Sequence, residues 1–185
     1  DQHPSFKGAS THISHMCKVL SECYGPTLLL TVAGPLPALQ TDSIEQVCFA
    51  SDEPSILKRA QLFSQWVKDI LHGQDALLLA HFRDVWGAMA VLNFPHLLPI
   101  YEVNGLASIE WPHRYPQLSG VTLQKLRQLE LFCLQQSALV LTPSATIQQH
   151  LLKRGVDESK IKVLPNGADV SLKKNDSPLI HGQYI

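Results

Sequence analysis

The chain has 185 residues, of which 45% are hydrophobic and 17% charged, with 12 prolines and 10 glycines. That balance fits a globular protein with a sizeable core and excludes collagen, coiled coil and a disordered tail. The formal net charge of −1 is spread over interspersed residues, so the basic excess of a nucleic-acid binder is missing.

The first periodic stretch is helical. Ile13, Met16, Cys17 and Leu20 recur at helical spacing, with Ser10 or Thr11 placed to cap them. Gly25-Pro26 punctuates the chain, residues 27–32 read as a buried strand, and Gly34, Pro35 and Pro37 end it. Residues 47–49 form a short strand. A long helix is expected over 52–71, with Pro54 in its first turn and Ile56, Ala60, Phe63, Val67 and Ile70 facing inward. Residues 76–80 are continuously apolar, as in a parallel strand covered on both sides. Helices follow over 84–92 and 121–136, and strands over 99–103 and 138–142. Leu126, Leu129, Phe132 and Cys133 face inward from the second of these helices. Ser144 caps a helix that runs to Arg154 and stops at Gly155. Residues 162–164 make a last strand before Pro165-Asn166-Gly167.

Strand and helix alternating at this spacing imply an α/β fold with a doubly wound parallel sheet. Such a sheet starts with a strand that lies in its middle. This chain opens with a loop and a helix, and residues 182–185 read as a strand that breaks off. The expectation is a fragment. Residues 1–170 would be one incomplete domain without its first central strand, and 171–185 a linker and the cut-off start of a second. The alternative is a natural N-terminus with another strand filling the centre.

Cysteines 17, 23, 48 and 133 have neither zinc-site nor disulfide spacing, which suits free thiols in a reducing cytoplasm. The polar opening does not read as a signal peptide. Apolar runs such as 28–32 and 76–80 are far below the ~20 residues that cross a bilayer, which leaves surface attachment open.

Ligands of open α/β sheets bind beyond the carboxyl ends of the strands. Lys7-Gly8-Ala9-Ser10-Thr11-His12 lies directly before a helix, where backbone N–H groups favour a phosphate; an ordinary loop and cap is the other reading. There is no G-x-G-x-x-G and no G-x-x-x-x-G-K-[ST]. His81 follows the apolar run and either handles hydrogen bonds and protons or is structural. Glu102, Asn104 and Gly105 end the next strand, where a buried carboxylate needs partners. Glu110, Trp111, His113, Arg114 and Tyr115 read as a polar-aromatic loop that grips an acceptor or covers the sheet. The planar fork of Arg114 suits a phosphate, a carboxylate or a surface ion pair. The nine histidines are scattered and make no metal cluster, and no G-x-S-x-G elbow exists. Lys125, Arg127, Lys153 and Arg154 either touch acidic lipid headgroups or form a solvated face.

One combination resembles a known family. The segment Ile161-Lys162-Val163-Leu164-Pro165-Asn166-Gly167-Ala168-Asp169, preceded by Arg154-Gly155-Val156 and Leu141-Thr142-Pro143-Ser144, resembles the end of the N-terminal domain of family-4 retaining glycosyltransferases. The run from Tyr101 to Glu110 and the Gly8-to-His12 loop are similar to segments of that family, with Lys7 standing where a glycine is usual. The resemblance spans 1–169. It implies the GT-B arrangement of two facing Rossmann-like domains, of which this chain would be the acceptor-side one. It implies a catalytic His81 over the reacting sugar. It further implies Lys7, Gly8, His12, Glu102, Asn104, Gly105, Arg114 and Ser144 around the donor phosphate and acceptor cleft, and Asn166 and Gly167 as the interdomain turn. The activity implied is transfer of a hexose from a nucleotide-sugar to a hydroxyl acceptor, glycan or lipid-linked, with retention and with neither metal nor cofactor. The setting implied is bacterial polysaccharide or glycolipid synthesis, in the cytoplasm or at the inner face of the plasma membrane. The donor would be held mainly by a second, C-terminal domain, so the 185-residue chain alone is expected to be inactive. The competing reading is a non-catalytic module that binds a glycan or a protein partner. A nicotinamide oxidoreductase is disfavoured by the missing glycine fingerprint.

Overall fold

The computed structural model describes residues 2–166. Asn166 is its last described residue; Gly167, the expected linker 171–185 and the expected strand at 182–185 lie outside it. The elements are β1 (Gln2–His3), α1 (Gly8–Tyr24), β2 (Thr27–Ala33), β3 (Ile44–Phe49), α2 (Ile56–Leu71), β4 (Leu79–Phe82), α3 (Val85–Val91), β5 (Leu98–Glu102), α4 (Ala107–Arg114), α5 (Gly120–Gln136), β6 (Leu139–Thr142), α6 (Ala145–Lys153) and β7 (Ile161–Val163). Every pairing between these strands is parallel. The alternation read from the sequence is therefore an α/β fold of the Rossmann-like kind. No helix among the described residues is long and apolar enough to cross a membrane.

The strands fall into two sheets, ordered β1-β2-β3 and β4-β5-β6-β7. The larger sheet carries most of the core. Phe82, Tyr101, Val140 and Ile161 from its strands pack with Val67, Val85, Ala88, Leu126, Cys133, Leu134 and Leu151 from the helices. The smaller sheet is buried mainly through Ile13, Cys17 and Ile44. Polar groups add to it. The buried His3 carbonyl accepts from Gln46 Nε2 at 2.8 Å and from Thr31 Oγ1 at 3.4 Å, and His3 Nδ1 lies 2.7 Å from Ser10 Oγ. These bonds draw residues 2–3 into a short strand where the sequence reading has a loop. They also hold Ser10 inside α1, so Lys7 rather than Ser10 or Thr11 occupies the cap position. Gly34 is required nearby, because a Cβ there would collide with the Pro4 carbonyl oxygen.

β1 pairs with β2 only at Val32 and Ala33. Residues 27–31 of β2 and the free edge of β4 line a cavity of about 360 Å³. Among the described residues no strand fills that space. Residues 76–80 are consequently not a strand covered on both faces. The strand begins at Leu79, and Leu78 is 76% exposed.

Other boundaries also differ. α2 starts at Ile56 under the Ser55 hydroxyl, so Pro54 precedes the helix instead of occupying its first turn. Residues 107–114, read as part of a loop, form α4 despite Pro112 inside it. The cause is a partner distant in sequence. Leu106 gives no side-chain cap, and the buried Glu130 of α5 accepts instead from Ser108 N at 2.7 Å and Ser108 Oγ at 2.5 Å. Arg154 closes the group, with Nη1 2.8 Å from Glu130 Oε2. Arg154 thus leaves the set of solvated or lipid-facing cations. Glu130 takes an inward position on α5, while Phe132 is 46% exposed rather than buried.

Candidate active site

Two strand ends and one helix bring the site together. β4 runs out at Phe82, and Asp84 turns the chain into α3 by accepting from Trp86 N at 2.9 Å and Gly87 N at 2.8 Å. β5 pairs Phe82 with Tyr101, which sets Glu102 level with the end of β4. Side chains alternate along a strand, so His81 and Arg83 project to the same side. α1 from the smaller sheet delivers His12 to the same place.

Glu102 is the hub, with its side chain 5% exposed. Its Oε2 lies 3.1 Å from His81 Nε2. Its Oε1 lies 3.1 Å from His12 Nε2 and 3.2 Å from Arg83 Nε, and it also accepts from Asn104 Nδ2. Burial alone would push this carboxyl up. The bonds from His81 and Asn104 and the charge of Arg83 outweigh burial and hold it down at about 2. Glu102 is therefore an anion at every physiological pH and not a proton donor. His81 is 11% exposed and faces the Glu102 carboxylate through Nε2.

The remaining expected residues divide. Gly8 opens α1, and a Cβ there would meet nothing within 4 Å, so packing in this chain does not demand glycine. Lys7 is exposed beside it. Asn104 and Gly105 border a second cavity of about 440 Å³ at the same carboxyl edge. A Cβ at Gly105 would meet only the Glu110 carboxylate, the exposed end of a flexible side chain that can move aside. Ser144 spends its hydroxyl on capping α6, accepting from Ile147 N at 3.2 Å. Arg114 is 70% exposed, 4.0 Å from Glu110, and lines neither cavity. Asn166 is exposed at the end of the described chain. Among the described residues no group of three His, Cys, Asp or Glu side chains is placed to hold a metal ion. Burial raises the Cys17 thiol to about 11 and the Cys133 thiol to about 12, so neither is a nucleophile at neutral pH.

Two site residues escape the sequence reading. Arg83 could have been found from strand alternation, since it stands two places after His81. Trp86 stacks on Trp111 of α4 at 6.2 Å, and α4 is revealed only by the Glu130 contact.

An anionic hub at the carboxyl ends of parallel strands suits recognition of a polar ligand, and comparison with known proteins narrows the class. Residues 6–172 match the sequence model of Glycosyltransferase Family 4. The chain belongs to that family. No curated protein matches it. The family assignment gives the Glu102 cluster a context of sugar transfer, and it places the sequence resemblance seen at 161–169 within a match that runs nearly the length of the chain.

Proposed function

We propose that this chain is the acceptor-side lobe of a glycosyltransferase that moves a hexose from a nucleotide-sugar to a hydroxyl acceptor with retention of configuration. The observation that carries the reading is the clamped Glu102 carboxylate, which fixes His81 at the carboxyl ends of β4 and β5. His81 presents Nδ1 to a hydroxyl of the reacting sugar and orients it. Glu102 sets the ring plane, much as a carboxylate partner orients a catalytic imidazole. Lys7 and the first N–H groups of α1 face the departing diphosphate, whose charge they stabilise. Asn104 and Gly105 border the acceptor. The donor is held mainly by a second lobe, so residues 1–185 alone turn over little or nothing. Polysaccharide or glycolipid assembly at the cytoplasmic face of a membrane is the setting this chemistry serves.

The test is His81→Ala in the whole enzyme. Turnover is expected to fall by about 100-fold or more, the scale of one positioned catalytic group, while the donor KM moves only a few-fold. Unchanged turnover would overturn the role of His81. Robust turnover by residues 1–185 alone would overturn the two-lobe reading.

A further inference from the structure

We infer that the second cavity is a pyranose-binding subsite, built on the Trp86–Trp111 pair, that makes the acceptor a glycan. The inference rests on the transferase reading and names its acceptor class. The two indoles lie nearly parallel, with ring centroids 6.2 Å apart and planes inclined by 24°. Both are half-buried and both border the 440 Å³ space. Tyr115 braces Trp111 edge-on at 5.8 Å. The volume lies within the range of small-molecule sites, about 300–1,000 Å³.

The polar groups at this cavity are planar. The Glu110 carboxylate lies against the backbone of Gly105 at the rim. Asn104 lies between this space and Glu102. Arg59 enters from α2, anchored by a 2.9 Å bond from Nη1 to the Glu53 carbonyl. A pyranose has a flat C–H face and a rim of hydroxyls. Flat indole surface beside an amide, a carboxylate and a guanidinium matches both features at once. An isoprenoid or acyl chain has no use for charged and amide groups at its walls. Asn104 and Glu110 are exposed and Arg59 half-buried, so an apolar occupant would strip water from them at about 1–3 kcal/mol for each group it covers, whereas a hydroxylated ring replaces those bonds. Arg83 and Asp84 line both cavities, which puts an acceptor ring here beside the Glu102 cluster.

Binding can be read on the 185-residue chain without any transfer reaction. The probes are the methyl α- and β-pyranosides of glucose, galactose, mannose and N-acetylglucosamine at millimolar concentration, with decyl phosphate as the lipid-like arm. Saturation-transfer NMR is expected to show contact with at least one glycoside. The indole N–H signals of Trp86 and Trp111 should shift more than that of Trp66, which does not itself line the cavity. Trp111→Ala should weaken the glycoside by about tenfold, the worth of one aromatic contact. Glu110→Gln on the exposed rim should weaken it severalfold and guards against a folding defect in the first variant. Contact with no glycoside, contact with decyl phosphate alone, or unaltered affinity in both variants would overturn the inference and leave the transferase reading standing. Glycoside binding in a whole enzyme that transfers no sugar would do the reverse.

Discussion

The two sheets of this chain are held together by different means. The four-stranded sheet lies in a continuous apolar core, and its helices are tied by a buried ion pair, Glu130 with Arg154. The three-stranded sheet packs against α1 through a small cluster of Ile13, Cys17 and Ile44, and polar bonds around His3, Thr31 and Gln46 add to it. A cavity separates β2 from β4, and the Glu102 cluster joins the two sides, taking His12 from α1 and His81 and Arg83 from the β4 end. The lesson is one of placement. The rigid sheet holds the hub, and the more weakly buried sheet brings one of its partners. The site thus lies where two regions of unequal stability meet.

The comparison is broken hardest at the ion pair. Glu130→Ala leaves Arg154 and Ser108 without their acceptor and should cost about 3–5 kcal/mol in unfolding free energy. The Glu130→Leu/Arg154→Met double variant should recover part of that, because no charge is then stranded although Ser108 still lacks its acceptor. Thermal melts of the three chains check both statements. A wild-type melting point in Glu130→Ala would show that the larger sheet does not depend on the pair.

Acid probes the junction. The Glu102 carboxyl titrates at about 2 when folded against 4.5 unperturbed, so between those values the unfolded chain binds more protons. Its stabilisation is complete above pH 4.5 and is lost as pH falls towards 2. The shift is worth up to about 3 kcal/mol. Glu102→Gln should therefore lie well below wild type in denaturant melts at pH 6, and the gap should close on acidification. A gap constant with pH would contradict the ionised hub.

The smallest effect belongs to the smaller sheet. Gly34→Ala forces a Cβ towards the Pro4 carbonyl and should cost about 1–3 kcal/mol. Amide exchange should accelerate across β2 and leave β5 and β6 unchanged. Equal acceleration in all strands would mean that the two sheets unfold as one.

Much of this architecture was legible in the sequence. Helical spacing located α1 and α5, because local periodicity reports which face is buried, and the Ser144 cap and Gly155 stop located α6. α4 was not legible, since its cap is Glu130, 22 residues away from Ser108. β4 was displaced for a similar reason. Residues 76–80 are apolar enough for a covered strand, yet they line an open cavity. In the site, His81, Glu102 and Asn104 were named from strand ends and His12 from the family resemblance, and the structure brings them together. Arg114 and Ser144 were named on residue type or neighbourhood, and each is occupied elsewhere by a local contact. A side chain's local partner is what sequence position alone conceals.

The central claim is that His81 and Glu102 act as one unit in sugar transfer. It is tested most directly by the turnover of the whole enzyme carrying His81→Ala, Glu102→Gln and both changes together. The account predicts that the double variant is no slower than the slower single variant, because each change already disables the same pair. Losses that multiply would show two independent groups and contradict it.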